Sequence, residues 1–271
     1  MKKLIVTADD LGLHRGMTIG AIEAHRRGIV TACSVSACGR ELDHAIDALA
    51  EVEALETGAH LTLVEERPVL DPAEIPSLVR SDGVFHHDYR EFGARLLAGR
   101  IDLGEVKREL RAQLELLAGK GLALRHVNSH QHLHLIPRLF AIVRELAEEM
   151  NIGYVRIVNE AAGSSKLSRR VSLAGLGILG RRASVRPLRS NDWSIGVHGA
   201  GHLTAAAIIG LLALEPGVTE LVTHPGLGNS DLSRSYDWHY DWDGETAALC
   251  DPTVGATIEM LEISLVRPSD V

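Results

Sequence analysis

Cysteine is scarce in this chain, and its spacing excludes the structures cysteine usually builds. Among 271 residues there are three, Cys33, Cys38 and Cys250. None belongs to a CxxC pair, so a zinc ribbon is excluded, and the set reads as reduced thiols of a cytoplasmic protein. Long apolar runs are missing as well. The first one, Leu4-Ile5-Val6, is cut off by Asp9 and Asp10 and is too short for the core of a signal peptide. No stretch approaches the roughly 20 apolar residues that span a bilayer. Positive charge is in deficit: 28 Lys and Arg stand against 36 Asp and Glu, a formal charge of -8. Such a surface repels phosphate backbones and anionic lipid, which makes nucleic acid and membranes poor partners. The one basic stretch, residues 166–189, reads as a solvated loop and helix face. There is no GxSxG elbow, no Walker loop and no GxGxxG opening a helix, so serine-nucleophile, nucleotide and dinucleotide chemistry lose ground.

What is present is an alternation of short apolar runs with amphipathic segments, the pattern of βα units on a parallel sheet. The length and this pattern together predict a single α/β barrel domain over residues 1–271. Strands are predicted at 4–6, 29–37, 57–63, 122–128, 154–158, 219–223 and 262–266. Helices are predicted at 17–27, 42–55, 105–117, 137–150, 203–214 and 252–260. In the third of these, Val106, Leu110, Leu114 and Leu117 recur at helical spacing. Residues 65–88, rich in proline, form a long excursion placed over a binding face. Residues 161–190 read as an insertion or loosely packed helix, and 231–243 as an aromatic, acidic loop.

Metal-ligand residue types gather at the ends of several predicted strands. The first strand runs into Asp9-Asp10, the third carries His60, the next leads to His130-Gln131-His132-Leu133-His134, and another leads to His224-Pro225-Gly226. In parallel α/β folds the ligand crevice lies at the carboxyl ends of the strands, so these groups converge on one rim. Asp9 and Asp10 point to opposite sides of an extended chain, which would let one hold a metal and the other handle a proton. His130, His132 and His134 alternate, and an extended segment would put them on one face. One of the three is expected to be a ligand, with the others contacting substrate or ligands. His126 reads as a buried structural histidine, and His14, His25, His44, His86, His87 and His239 as surface residues. One carboxylate with two imidazoles leaves coordination positions open, a hydrolytic arrangement.

At these motifs the sequence resembles the YdjC-like carbohydrate deacetylases, which include the chitooligosaccharide deacetylases. The matching elements are Thr7-Ala8-Asp9-Asp10-Leu11-Gly12, Gly58-Ala59-His60-Leu61-Thr62, residues 126–134, Tyr154-Val155-Arg156 and residues 219–226. The resemblance implies a distorted (β/α) barrel similar to polysaccharide deacetylases, a homodimer in many members, and one divalent metal ion. Magnesium or zinc would come first, manganese or iron next. It implies Asp10, His60 and His130 as metal ligands, Asp9 as general base, Arg156 as the group that orients Asp9, and His224 as acid or substrate contact. His132 and His134 would lie near the substrate, an N-acetylated sugar or glycolipid headgroup. Asn128 stands where many members carry Asp, and Leu11 where many carry Phe. The Asn resembles the branch associated with hopanoid biosynthesis. The implied reaction is removal of an N-acetyl group. A metal hydrolase of another amide or ester, or a silent sugar-binding protein, are the rival readings.

Overall fold

The computed structural model describes residues 1–160 and 188–271. Its centre is strand β1 (Lys2–Leu11), with Leu4, Ile5, Val6 and Ala8 wholly buried. A parallel strand covered on both faces needs an unbroken apolar run, which is what the sequence supplies there. Seven further strands follow: β2 (Ala32–Val35), β3 (Glu56–Leu61), β4 (His126–Ser129), β5 (Tyr154–Val155), β6 (Trp193–Ile195), β7 (Gly217–Thr223) and β8 (Ile263–Leu265). Every pairing is parallel, in the order β5-β4-β3-β2-β1-β7-β6, and β8 pairs with the start of β1.

The sheet curls so that its two edges approach one another. Asn191 grips the Ile157 backbone from both sides, accepting its N–H at 2.9 Å and donating to its carbonyl at 2.6 Å. Ser194 and Asn159 complete the seam, with Ser194 N–H donating to the Asn159 carbonyl and Asn159 N–H to Ser194 Oγ. Side chains thus replace part of a backbone ladder. The result is a distorted parallel (β/α) barrel, as the sequence pattern predicts.

Most helices fall where periodicity places them. Leu103–Gly119 starts at Asp102, whose side chain accepts from Gly104 N–H, and buries Val106, Leu110, Leu114 and Leu117. Pro137–Glu149 begins with proline at its first turn. Among the described residues the α-helices Tyr89–Leu97, Asn229–Ser235 and Trp242–Leu249 and the strand β6 were not predicted. The second and third helices overlap the expected 231–243 loop from either end. The expectations for 161–190 and for the basic stretch 166–189 fall almost wholly outside the described residues.

The excursion at 65–88 is tied down. Glu109 accepts the backbone N–H groups of Val69 and Leu70 at 3.0 Å each, and Glu105 accepts that of Ser77 at 2.8 Å. Gln113 brackets Thr62 just before it. Both ends of the excursion reach the site described next. Among the described residues no helix is long and apolar enough to cross a membrane.

Candidate active site

The strand register does much of the assembly. The pairing of β1 with β2 is irregular between Ala8 and Leu11, and Asp10 has φ 69° inside that break. An irregularity of this kind re-aims a side chain. Asp9 and Asp10 therefore both face one cavity of about 840 Å³ instead of opposite sides of a strand. His60 on β3 stands beside Asn128 on β4 in register. His130 follows β4 directly, at the start of a short 3-10 segment.

Asp10, His60 and His130 meet. Asp10 Oδ1 lies 3.0 Å from His60 Nε2 and 3.0 Å from His130 Nδ1, and those two nitrogens are 3.4 Å apart. Ligands at about 2.1 Å from one ion stand about 3.0 Å apart in octahedral geometry and about 3.4 Å apart in tetrahedral geometry. The three donor atoms are spaced for a common cation, and the trio is buried. Each imidazole is turned by a partner on its far nitrogen, which fixes the tautomer a ligand needs. His60 Nδ1–H donates to Asn128 Oδ1 at 2.7 Å, and His130 Nε2–H to Glu65 Oε2 at 3.1 Å. Burial works against a charge on His130, but Asp10 and Glu65 push its pKa up to about 10. Burial also opposes the charge on Asp10, and His130 and His60 outweigh it, holding the carboxyl well below its usual range.

Asp9 lies beside the trio and is held by a buried relay. Its Oδ1 accepts from Ser34 Oγ at 2.7 Å, Asn128 Nδ2 at 3.0 Å and Arg156 Nη2 at 2.9 Å, while Oδ2 accepts from Arg156 Nη1 at 2.5 Å. Arg156, fully buried, turns its other edge to Glu220, which also accepts from Thr7 and Tyr154. Burial raises the Asp9 carboxyl, yet the guanidinium and the His60 ring keep it far below the ordinary carboxylate range. Asn128 thus donates to Asp9 with one arm and accepts from His60 with the other, a double role that a carboxylate without a proton could not fill.

His224, at the end of β7, also lines the cavity, with Nε2 4.0 Å from Asp10 Oδ2. Its backbone N–H is anchored on Glu245, and its Nδ1 is buried without a hydrogen-bond partner among the described residues. The other two histidines of the expected row part company. Gln131 and His132 both take positive φ, 51° and 57°, so the segment is coiled rather than extended. His132 faces the cavity, and burial, followed by the Arg156 charge, keeps it neutral. His134 turns away: it donates through Nε2 to the Arg156 carbonyl at 2.9 Å and accepts from Ser129 Oγ at 2.6 Å. His126 is buried as expected, over Gly58, whereas His86 is buried rather than on the surface.

Four contributors went unseen in the sequence: Ser34, Glu65, Glu220 and the aromatic wall of Trp238 and Tyr240. The alternation Tyr236-Asp237-Trp238-His239-Tyr240, within the segment read as an aromatic, acidic loop, is the signal that could have found the wall. The cavity is also lined by Leu133, Leu135, Ile136 and Val197 and by Asp88, Tyr89 and Arg90.

Comparisons with known proteins find relatives of the whole chain. A carbohydrate deacetylase of Brevibacillus brevis (strain 47) is 38% identical over 150 residues, 55% of this chain and 57% of that protein, so the match spans little more than half of that relative. A chitooligosaccharide deacetylase of Yersinia pestis (strain Pestoides F) is 33% identical over 263 residues, covering 95% of this chain and 94% of that one. Among solved structures, a protein of Enterococcus faecalis V583 named provisionally for cellobiose-phosphate cleavage superposes with a TM-score of 0.80 at 25% identity, covering 99% of this chain and 98% of that one. The model of the YdjC-like protein family matches residues 3–260. With nearly its whole length matched, and with its strand ends built as above, the chain belongs to the YdjC-like family.

Proposed function

We propose that the protein is a divalent-metal-dependent N-deacetylase that converts an N-acetylated sugar to acetate and a free amino sugar. The observation that carries this reading is the meeting of Asp10, His60 and His130 at ion-holding distances with a second carboxylate, Asp9, alongside. The sugar class is supported by the names of the relatives, a carbohydrate deacetylase and a chitooligosaccharide deacetylase. Asp10, His60 and His130 would hold the ion. Mixed carboxylate and imidazole donors suit zinc or magnesium, and also manganese or iron. The chemistry such an ion supplies is Lewis acidity, which polarises a carbonyl and makes a nearby water more acidic.

The remaining work belongs to the protein. Asp9 accepts the proton of the attacking water. Its Oδ1 is engaged by three donors, which leaves Oδ2, bonded to Arg156 Nη1, as the oxygen with capacity to take it. A carboxylate held so far below its ordinary range is a weak base toward bulk water, and it works here only on a water of raised acidity. Arg156 keeps both Asp9 oxygens in place, and Glu220 keeps Arg156 in place. His224 lines the cavity with Nε2 4.0 Å from Asp10 Oδ2 and would give the leaving amine its proton. His132, neutral and lining the same cavity, is left for substrate contact.

The test is acetate release from N-acetylglucosamine oligomers by the metal-loaded protein. Asp9→Asn and His130→Ala are each expected to lower turnover at least 100-fold, in keeping with loss of a proton-transfer group. Turnover near that of the wild type in either variant overturns the assignment. A panel of other amides and esters separates the sugar reading from a different hydrolase.

A further inference from the structure

One carboxylate oxygen in the cavity wall serves two masters. Glu65 Oε2 accepts a hydrogen bond from His130 Nε2 at 3.1 Å and another from the Trp238 indole Nε1 at 3.1 Å. Its second oxygen accepts from Gln131 Nε2 at 2.9 Å, and Gln131 in turn accepts from the Tyr89 N–H at the cavity rim. Glu65 has φ 68°, a conformation that costs a non-glycine residue on the order of 1–3 kcal/mol and persists only where its surroundings enforce it. The neighbouring Glu66 does the same for the next ring, accepting from Tyr236 Oη at 3.0 Å. Two consecutive carboxylates of the excursion thus clamp two alternate aromatics of one segment. Tyr236, Trp238 and Tyr240 turn inward, while Asp237 and His239 stand in solvent with side chains 92% and 84% exposed. The Trp238 ring lies 5.3 Å from the His130 ring at 34° and 4.5 Å from the Tyr236 ring at 40°, a wall held by its neighbours on both sides.

A pyranose has an apolar C–H face, and an indole fixed at its N–H edge offers the flat surface that such a face packs against. We propose that Glu65 is a positioning residue that joins the metal site to the sugar site. It aims the His130 imidazole at the ion and holds the Trp238 indole as the platform for the sugar ring whose acetamide reaches that ion. This rests on the deacetylase reading above and adds to it the side of the cavity that recognises the ring. Removing Glu65 frees both groups at once, whereas altering Trp238 disturbs the sugar alone.

The experiment compares wild type, Glu65→Ala, Glu65→Gln and Trp238→Phe, each checked for native thermal unfolding. Three quantities are read: zinc affinity by competition with a chromophoric chelator, affinity for the glucosamine disaccharide by titration calorimetry, and KM and kcat for acetate release. The disaccharide has no acetyl group to lose, so it reports ring binding whether or not the protein turns anything over. Glu65→Ala is expected to weaken zinc by 10- to 100-fold, the usual effect of losing the partner of a ligating histidine, and to weaken disaccharide binding as well. Trp238→Phe should leave zinc affinity unchanged and raise KM by roughly three- to ten-fold with kcat within two-fold. Glu65→Gln, which keeps an acceptor but loses the charge, should fall between wild type and Glu65→Ala. Zinc affinity within two-fold of wild type in Glu65→Ala overturns the proposal, and so does an unaltered KM and disaccharide affinity in Trp238→Phe. If the wild type releases no acetate from any oligomer yet the zinc and disaccharide results hold, the deacetylase reading fails and the role of Glu65 stands.

Discussion

Arg156 is the residue on which most of the buried charge depends. It is 0% exposed and lies between Asp9 and Glu220, both at most 1% exposed. Taking away one member of a buried ionic set strands the others without water or partner, an effect of about 3–5 kcal/mol. Arg156→Met should therefore cost that much in denaturant unfolding, and adding Glu220→Gln should restore part of it. A loss under about 1 kcal/mol would contradict the pairing. His134 gives a pH prediction. Burial, and secondarily the Arg156 charge, lower its pKa to about 3 in the folded chain, while an unfolded histidine titrates near 6.5. Between those values the unfolded chain binds a proton that the folded chain refuses, so stability falls as pH drops from about 6.5 towards 3. The slope from this one group is at most about 1.4 kcal/mol per pH unit. His134→Gln should be less stable at pH 7 yet show a shallower acid limb. An unchanged slope in urea titrations at pH 7, 6, 5 and 4 would refute this. At this scale the three clustered donors, Asp10, His60 and His130, were legible as candidates because Asp and His at strand ends are conspicuous residue types, and the resemblance singled out His130 within its row. Glu65 was not, since its importance comes from a left-handed backbone that nothing in a Glu-Glu pair announces. Nor was His134, whose spacing matches its neighbours and whose direction is set by positive φ at Gln131 and His132.

At the scale of elements, glycine shows where close packing shapes the site. Gly20 lies inside the helix Arg15–Arg27, and a methyl there would stand 2.4 Å from Gly226 Cα, two residues past His224. Alanine ordinarily stabilises a helix interior relative to glycine by about 1 kcal/mol. Here overpacking should reverse the sign, with Gly20→Ala destabilising by about 1–3 kcal/mol and lowering kcat through the displaced His224 turn. Gly93→Ala, in the helix Tyr89–Leu97 where nothing lies within 4 Å, is the control and should stabilise slightly. If both variants behave alike in thermal unfolding, the close approach is not real. The elements themselves were legible where one face is apolar and the other wet, as in Leu103–Gly119. That signal fails when the buried face is itself polar: Trp242–Leu249 buries Glu245 and Thr246 beside Trp242 and Leu249, so its inner face carries no apolar stripe, and its first residues fall in the expected 231–243 loop. Strand β6 has three residues and depends on Asn191 and Ser194 for its seam, side-chain bonding that leaves no period in the sequence.

For the molecule as a whole, an ion binding the folded chain and not the unfolded one adds stability by mass action, about 2.7 kcal/mol at a hundred-fold excess over Kd. For a chain of this size that is a rise in Tm of roughly 5–10 °C, reversible with chelator. The Asp10→Asn and His60→Ala variants should lose most of that rise. A metal-independent Tm in the wild type would argue against the trio as a cation site. The placement of the groups along the chain has a further consequence. Asp9, Asp10, His60 and His130 all precede residue 131, on adjacent strands β1 to β4, while Arg156, Glu220, His224 and Trp238 come later. On the proposed reading, substitutions at Arg156, Glu220, His224 or Trp238 leave the three cation donors in the chain while removing groups assigned to hydrolysis and sugar contact, whereas substitutions at Asp10, His60 or His130 remove both capacities together.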